Sequence, residues 1–144
     1  MIGVSTLGLA SVGSASAATP TTETAVNVSA KAKTAKQKAK KFGISKKHIK
    51  RYRLKNWELR QIQQSKKWAK TSKVRSVRNC ESNNRYGINT GNGYYGAYQF
   101  AAGTWRGIGG TRYHSYAHQA PKMAQDHMAW KLWRSQGWGP WSCA

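Results

Sequence analysis

Charge is distributed so unevenly along these 144 residues that it restricts where a core can form. The chain carries 25 lysines and arginines against four acidic side chains, a formal net charge of +21. Residues 18–78 hold 19 of those cations against Glu23 and Glu58, whereas residues 79–144 hold six against Glu81 and Asp126. A segment this basic seeks polyanions, and the second half is left as the folded module. The length suits one compact domain plus something less compact.

Ile2 to Ala17 is weakly apolar and ends in Ala15-Ser16-Ala17, a small-residue cleavage pattern. It reads as a secretory signal peptide over residues 1–17, although no Lys or Arg precedes Lys31 to supply a basic start. The remainder contains no apolar run long enough to span a bilayer. Export in turn favours pairing of Cys80 with Cys143, the only two cysteines. Closing a loop of that length contributes roughly 4 kcal/mol in the chain-entropy account. Two cysteines without nearby histidine spacing make no zinc site. His114, His118 and His127 likewise lack ligand spacing on a shared face, so neither a metal nor a cofactor is expected.

Residues 18–41 read as a flexible linker, small and polar at first and then the Lys/Ala run from Lys31 to Lys41, disordered until it meets an anionic surface. Residues 42–73 form a basic helical extension. Ser45 caps a short helix through Arg53, and Asn56 caps a second in which Trp57, Ile62 and Trp68 recur on one side. Two readings of this extension stand: attachment to an anionic polymer or membrane surface, or packing of its tryptophans on the following domain. Nucleic acid satisfies the same electrostatics, but export argues against it.

Residues 74–144 read as an α+β domain, helices around one hairpin. The first helix spans 71–82, with Val74 and Val77 inward and Cys80-Glu81 at its end. Ile88 to Phe100 reads as a β-hairpin with tight turns at Thr90-Gly91-Asn92-Gly93. Thr104 to Gly110 begins another helix, Arg112 to Ala120 is a loop, and Pro121 opens a helix to about Ser135. Trp105, Trp130, Trp138 and Trp141 are assigned to the core, and Asn89 and Asn92 to turns.

Several stretches carry a family resemblance. Cys80-Glu81-Ser82, the run Ile88-Asn89-Thr90-Gly91-Asn92-Gly93-Tyr94-Tyr95-Gly96, Gln99-Phe100, Thr104-Trp105 and Gln136-Gly137-Trp138-Gly139 resemble the resuscitation-promoting factors. These are secreted bacterial transglycosylase-like proteins with a lysozyme-like fold. The resemblance covers residues 74–144. It implies cleavage of the β-1,4 bond between N-acetylmuramic acid and N-acetylglucosamine in the glycan strands of peptidoglycan, with Glu81 as the catalytic acid. Tyr95, Gln99 and Thr104 match residues that line the family's sugar groove. Two departures bear on subsites: Ser82-Asn83-Asn84-Arg85-Tyr86 follows the Glu in place of the usual Ser-Gly-Gly-Asn-Trp, and Ala101 replaces the usual polar or acidic residue after Gln-Phe.

The chemistry agrees. A carboxylic acid donates its proton to the glycosidic oxygen and then serves as base for the attacking group, which calls for a pKa raised by its surroundings. Retaining and inverting hydrolases need a second carboxylate, about 5–5.5 or 6.5–9.5 Å away. After residue 81 the chain offers only Asp126, whose setting suggests a structural role. A single-glutamate route is therefore preferred, in which the muramic acid 6-hydroxyl attacks internally and leaves a 1,6-anhydro product. The expectation is a secreted, monomeric lytic transglycosylase held to an anionic wall polymer or membrane surface through residues 31–78. The alternatives are a muramidase of the same bond and a non-catalytic cationic wall-binding or membrane-active protein.

Overall fold

A computed structural model describes residues 36–144, within which short helices alternate with turns. The helices are α1 (residues 36–42), α2 (Lys46–Arg51), α3 (Asn56–Trp68), α4 (Ser72–Ser82), α5 (Ala102–Gly107) and α6 (Lys122–Gln136). Two strands, β1 (Tyr94–Tyr95) and β2 (Phe100–Ala101), pair antiparallel, with Tyr94 opposite Ala101 and Tyr95 opposite Phe100. Single 3₁₀ turns at Gly110–Arg112 and Ala117–Gln119 lead to α6. Residues 1–35, including the expected signal peptide and most of the expected linker, lie outside the described residues.

Local chemistry explains the helix starts. The Ser45 hydroxyl accepts from His48 N–H (3.2 Å) as the N-cap of α2. Asn56 is the first residue of α3 and not its cap. The free N–H there belongs to Lys55, and the Glu58 carboxylate reaches back to accept from it (2.7 Å). Pro121 sits at the N-cap of α6, where its missing N–H costs nothing.

One apolar cluster joins the extension to the rest. Leu59 and Ile62 of α3, Val74 and Val77 of α4, Tyr98 and Phe100 of the hairpin, Trp105, and Met128 and Leu132 of α6 are all buried in it. Full burial of one such side chain is worth roughly 1.5–3 kcal/mol. Trp68, from the end of α3, stacks on Tyr98 (6.2 Å between ring centroids) and on Trp138 (6.0 Å). Packing of the extension on the domain is therefore observed for Trp68. It does not hold for Trp57, which is 53% exposed. Five residues at 100° each turn Trp57 well away from the Leu59–Ile62 face.

Two other expectations change. Residues 36–41, assigned to the flexible linker, are helical, and Ala39 and Phe42 pack against the core. The lysines of that run therefore extend from an anchored helix. The strands are also shorter than expected. Asn89 bridges Tyr95, so the chain reverses once through residues 90–93 and again through residues 96–99. Asn89 and Asn92 close the first reversal as expected, accepting from the N–H groups of Gly91 (3.0 Å) and Tyr94 (3.1 Å). The second requires Gly96: at φ 74° its added Cβ would lie 2.3 Å from Gln125 Oε1.

Candidate active site

Glu81 is delivered by the last turn of α4. The helix stops because Asn83 and Asn84 take left-handed conformations (φ 52° and 58°), which asparagine tolerates better than most residues. Val74 and Val77, seven and four residues earlier on the same side of α4, are buried in the core, so Glu81 continues that side one turn further and emerges half-buried at its end.

Three ties hold that end. Cys80 and Cys143 form a disulfide with their Cα atoms 5.9 Å apart. The buried Ser82 hydroxyl donates to Ala97 O (2.9 Å), joining α4 to the hairpin. The Trp141 indole N–H donates to Tyr98 O (3.1 Å), joining the C-terminal segment to the same hairpin. Because the tail is held in this way, Cys143 N–H donates directly to Glu81 Oε1 (3.2 Å). Among the described residues this is the hydrogen bond that orients the carboxylate. Glu81 lines neither the apolar recess of about 260 Å³ beside Ile44, Ile62 and Met123 nor the larger cleft described below.

Tyr95 and Gln99 belong to the hairpin tied to α4 through Ser82 and Ala97, and Thr104 follows it in α5. Tyr95 is half-buried and stacks on His118 (5.3 Å) and against Tyr116 (4.7 Å, tilted). Gln99, at φ 48°, donates its side-chain amide to Gly96 O (2.9 Å), and so also closes the second reversal. Thr104 is half-buried in α5, beside the fully buried Trp105. No hydrogen bond joins Glu81 to any of the three.

Asp126 is committed elsewhere. It is 4% exposed and accepts from the hydroxyls of Tyr86 and Tyr98, both at 2.7 Å. Arg78 (3.8 Å) and Lys122 (3.6 Å) supply positive charge. Burial, reinforced by the Asp126 charge, pushes both tyrosine hydroxyls well above their usual range, so they remain donors. The third described side-chain carboxylate, Glu58, is also buried and pairs with Arg112.

Sequence reasoning did not identify Ser82, Gln125 or the Cys143 N–H as parts of this site. Gln125 is fully buried, accepts from Ala97 N–H (2.9 Å) and donates to Tyr86 O (2.9 Å) and Ala120 O (3.0 Å). A glutamine at an inward position of α6 was the available signal, since a buried amide must find several partners.

The fold and site define a class: the chain belongs to the transglycosylase-like domain family, whose model matches residues 68–144. The match begins at Trp68, so it takes in the residue that stacks the extension on the domain. Among curated relatives, resuscitation-promoting factor Rpf1 of Corynebacterium glutamicum is 47% identical over 62 residues, 43% of this chain and 32% of that protein. Resuscitation-promoting factor Rpf of Micrococcus luteus is 48% identical over 62 residues, 43% of this chain and 26% of that protein. RpfE of Mycobacterium tuberculosis is 44% identical over 66 residues, 46% and 37%. The chain thus spans well under half the length of each. The α+β, lysozyme-like class expected from the sequence is the observed one.

Proposed function

We propose that this protein is an exported lytic transglycosylase that cleaves the β-1,4 bond between N-acetylmuramic acid and N-acetylglucosamine in peptidoglycan, with Glu81 as its single acid/base. The observation that carries this reading is the fate of the carboxylates. Of the three on described side chains, Glu58 and Asp126 are buried and fully partnered. Glu81 alone is partly exposed, is held through one oxygen by a backbone N–H and keeps its other oxygen free of hydrogen bonds from the described residues.

In the reaction Glu81 gives its proton to the glycosidic oxygen as the bond to the anomeric carbon breaks. The carboxylate then takes the proton of the muramic acid 6-hydroxyl as that oxygen bonds to the same carbon. The acid is regenerated and the product is a 1,6-anhydro sugar. No second carboxylate is needed because the nucleophile is part of the substrate. Tyr95 offers a ring face to a sugar, and Gln99 and Thr104 offer polar groups to its acetamido and hydroxyl substituents.

The disulfide suits an oxidising compartment outside the cytoplasm. Within residues 36–78 every lysine and arginine except Lys38 and Arg78 is exposed, which suits attachment to an anionic wall polymer or membrane surface. The test compares release of soluble fragments from purified walls by the wild type and Glu81→Gln. Glutamine can still accept from Cys143 N–H, so the fold is kept while the proton is lost. A fall of at least about 100-fold is expected; equal release by the two proteins would remove Glu81 from this role.

A further inference from the structure

Three large apolar side chains stand exposed among the described residues: Tyr94, Tyr116 and Trp57. Tyr94 lies in β1 and Tyr116 packs against Tyr95, so both belong to the hairpin region. Trp57 does not. It borders a separate cleft of about 720 Å³ formed by α3, the Gly110–Arg112 turn and α6. We infer that this cleft is a second glycan-binding site, taking a carboxylate-bearing glycan strand of the wall at a distance from Glu81. The inference rests on the proposed action on peptidoglycan.

A single exposed tryptophan is ordinary on a protein surface, so the case rests on what surrounds it. Gln61, Thr111, Arg112, His127 and Lys131 line it too, with the buried Glu58 carboxylate beneath Arg112. The polar groups are held in place. Arg112 pairs with Glu58 and donates to Tyr52 O (2.7 Å). Lys131 donates to Ile108 O (2.8 Å). Gln61 is oriented by a relay: the Tyr113 hydroxyl lies 3.2 Å from His127 Nδ1, and His127 Nε2 lies 3.3 Å from Gln61 Oε1. Burial pushes the Tyr113 hydroxyl up to about 12 and the imidazole down to about 4, which keeps the phenol protonated and the ring neutral. Because Nε2 faces the Gln61 amide oxygen, an acceptor only, Nε2 carries the ring proton and Nδ1 accepts from the phenol. The amide NH₂ of Gln61 is then left with no protein partner among the described residues.

An indole face, a fixed amide donor, a hydroxyl and the Lys131 ammonium, whose partner is a neutral carbonyl, match the parts of a wall glycan: apolar ring faces, acetamido carbonyls, hydroxyls and carboxylates. The volume lies within the roughly 300–1,000 Å³ typical of small-ligand clefts. A strand long enough to reach both this cleft and the hairpin would make its second contact intramolecularly, so its overall avidity would exceed the affinity of either site alone. The extension contributes Trp57 and Gln61, which gives α3 a role beyond its positive charge.

The experiment titrates isotope-labelled full-length Glu81→Gln protein with peptide-free glycan strands released from purified walls, and follows amide and indole N–H resonances. The expected result is movement of the Trp57 indole and Thr111 amide signals alongside those of residues 94–104. Movement at residues 94–104 alone would overturn the second site and leave the Glu81 groove intact. Movement at Trp57 and Thr111 alone would support the second site and count against the groove, and stillness at both would overturn the two together. In parallel, Trp57→Ala is expected to weaken sedimentation with intact walls by about tenfold, with Trp57→Phe retaining most of the binding. Unchanged binding by Trp57→Ala, with its melting temperature preserved, would contradict the proposal.

Discussion

At the scale of single residues, scarcity of acid explains much of the molecule. With so few carboxylates, each buried one must satisfy several donors: Glu58 serves Arg112 and Lys55, and Asp126 serves two tyrosines and two cations. That Asp126 is structural was legible in the sequence, but its partners were not. Tyr86 and Tyr98 lie 40 and 28 positions away, and no local pattern encodes a contact over that distance. His127 carries the clearest pH consequence. Burial first, with help from Lys131, lowers its pKa from 6.5 to about 4. The unfolded chain therefore takes up this proton before the folded one does as acid is added. The stability linked to His127 is present above about pH 6.5 and is lost as the pH falls towards 4. Urea unfolding at pH 7 and pH 4.5 is expected to show a drop larger by roughly 2 kcal/mol or more in the wild type than in His127→Gln. An equal drop in both would mean that the imidazole is not the group responsible.

Among the elements, α4 and the hairpin are the pair that carries the proposed site, and they were read from sequence with unequal success. The end of α4 was legible because Cys80-Glu81-Ser82 followed by two asparagines and a nearby glycine carries both a chemical and a helix-stopping signal. The hairpin was only partly so. Its asparagine–glycine turn was visible, but the second reversal depends on Gly96 meeting Gln125 from α6, a tertiary constraint. The break in the α3 stripe at Trp57 was missed for a different reason: tryptophan is usually buried, and the helical angle was applied too loosely. The disulfide connects these elements to the tail that holds Glu81. Reduction, or the double substitution Cys80→Ser with Cys143→Ser, is expected to cost about 4 kcal/mol in the denaturant midpoint analysis. It should also lower wall cleavage, because Cys143 N–H is no longer held against the carboxylate. Full activity after reduction would show that Glu81 is positioned without the tail.

Across the whole molecule, the basic extension and the matched domain are not separable layers. Leu59 and Ile62 of α3 are fully buried, and Trp68 completes a stack with Tyr98 and Trp138. Charge composition suggested a polyanion-seeking arm beside an independent module; packing shows that the arm also supplies core. A chain beginning at residue 71 loses those three side chains and is expected to melt at least about 10 °C below one beginning at residue 36, as calorimetry would show. Equal melting temperatures would restore the independent module. The central claim concerns chemistry, and mass spectrometry of the fragments released from purified peptidoglycan tests it most directly. A lone Glu81 acid/base predicts muramic acid ends in the 1,6-anhydro form, lighter by one water than hydrolysed ends, and absent from digests by Glu81→Gln. Reducing muramic acid ends, carrying the added water, would contradict it.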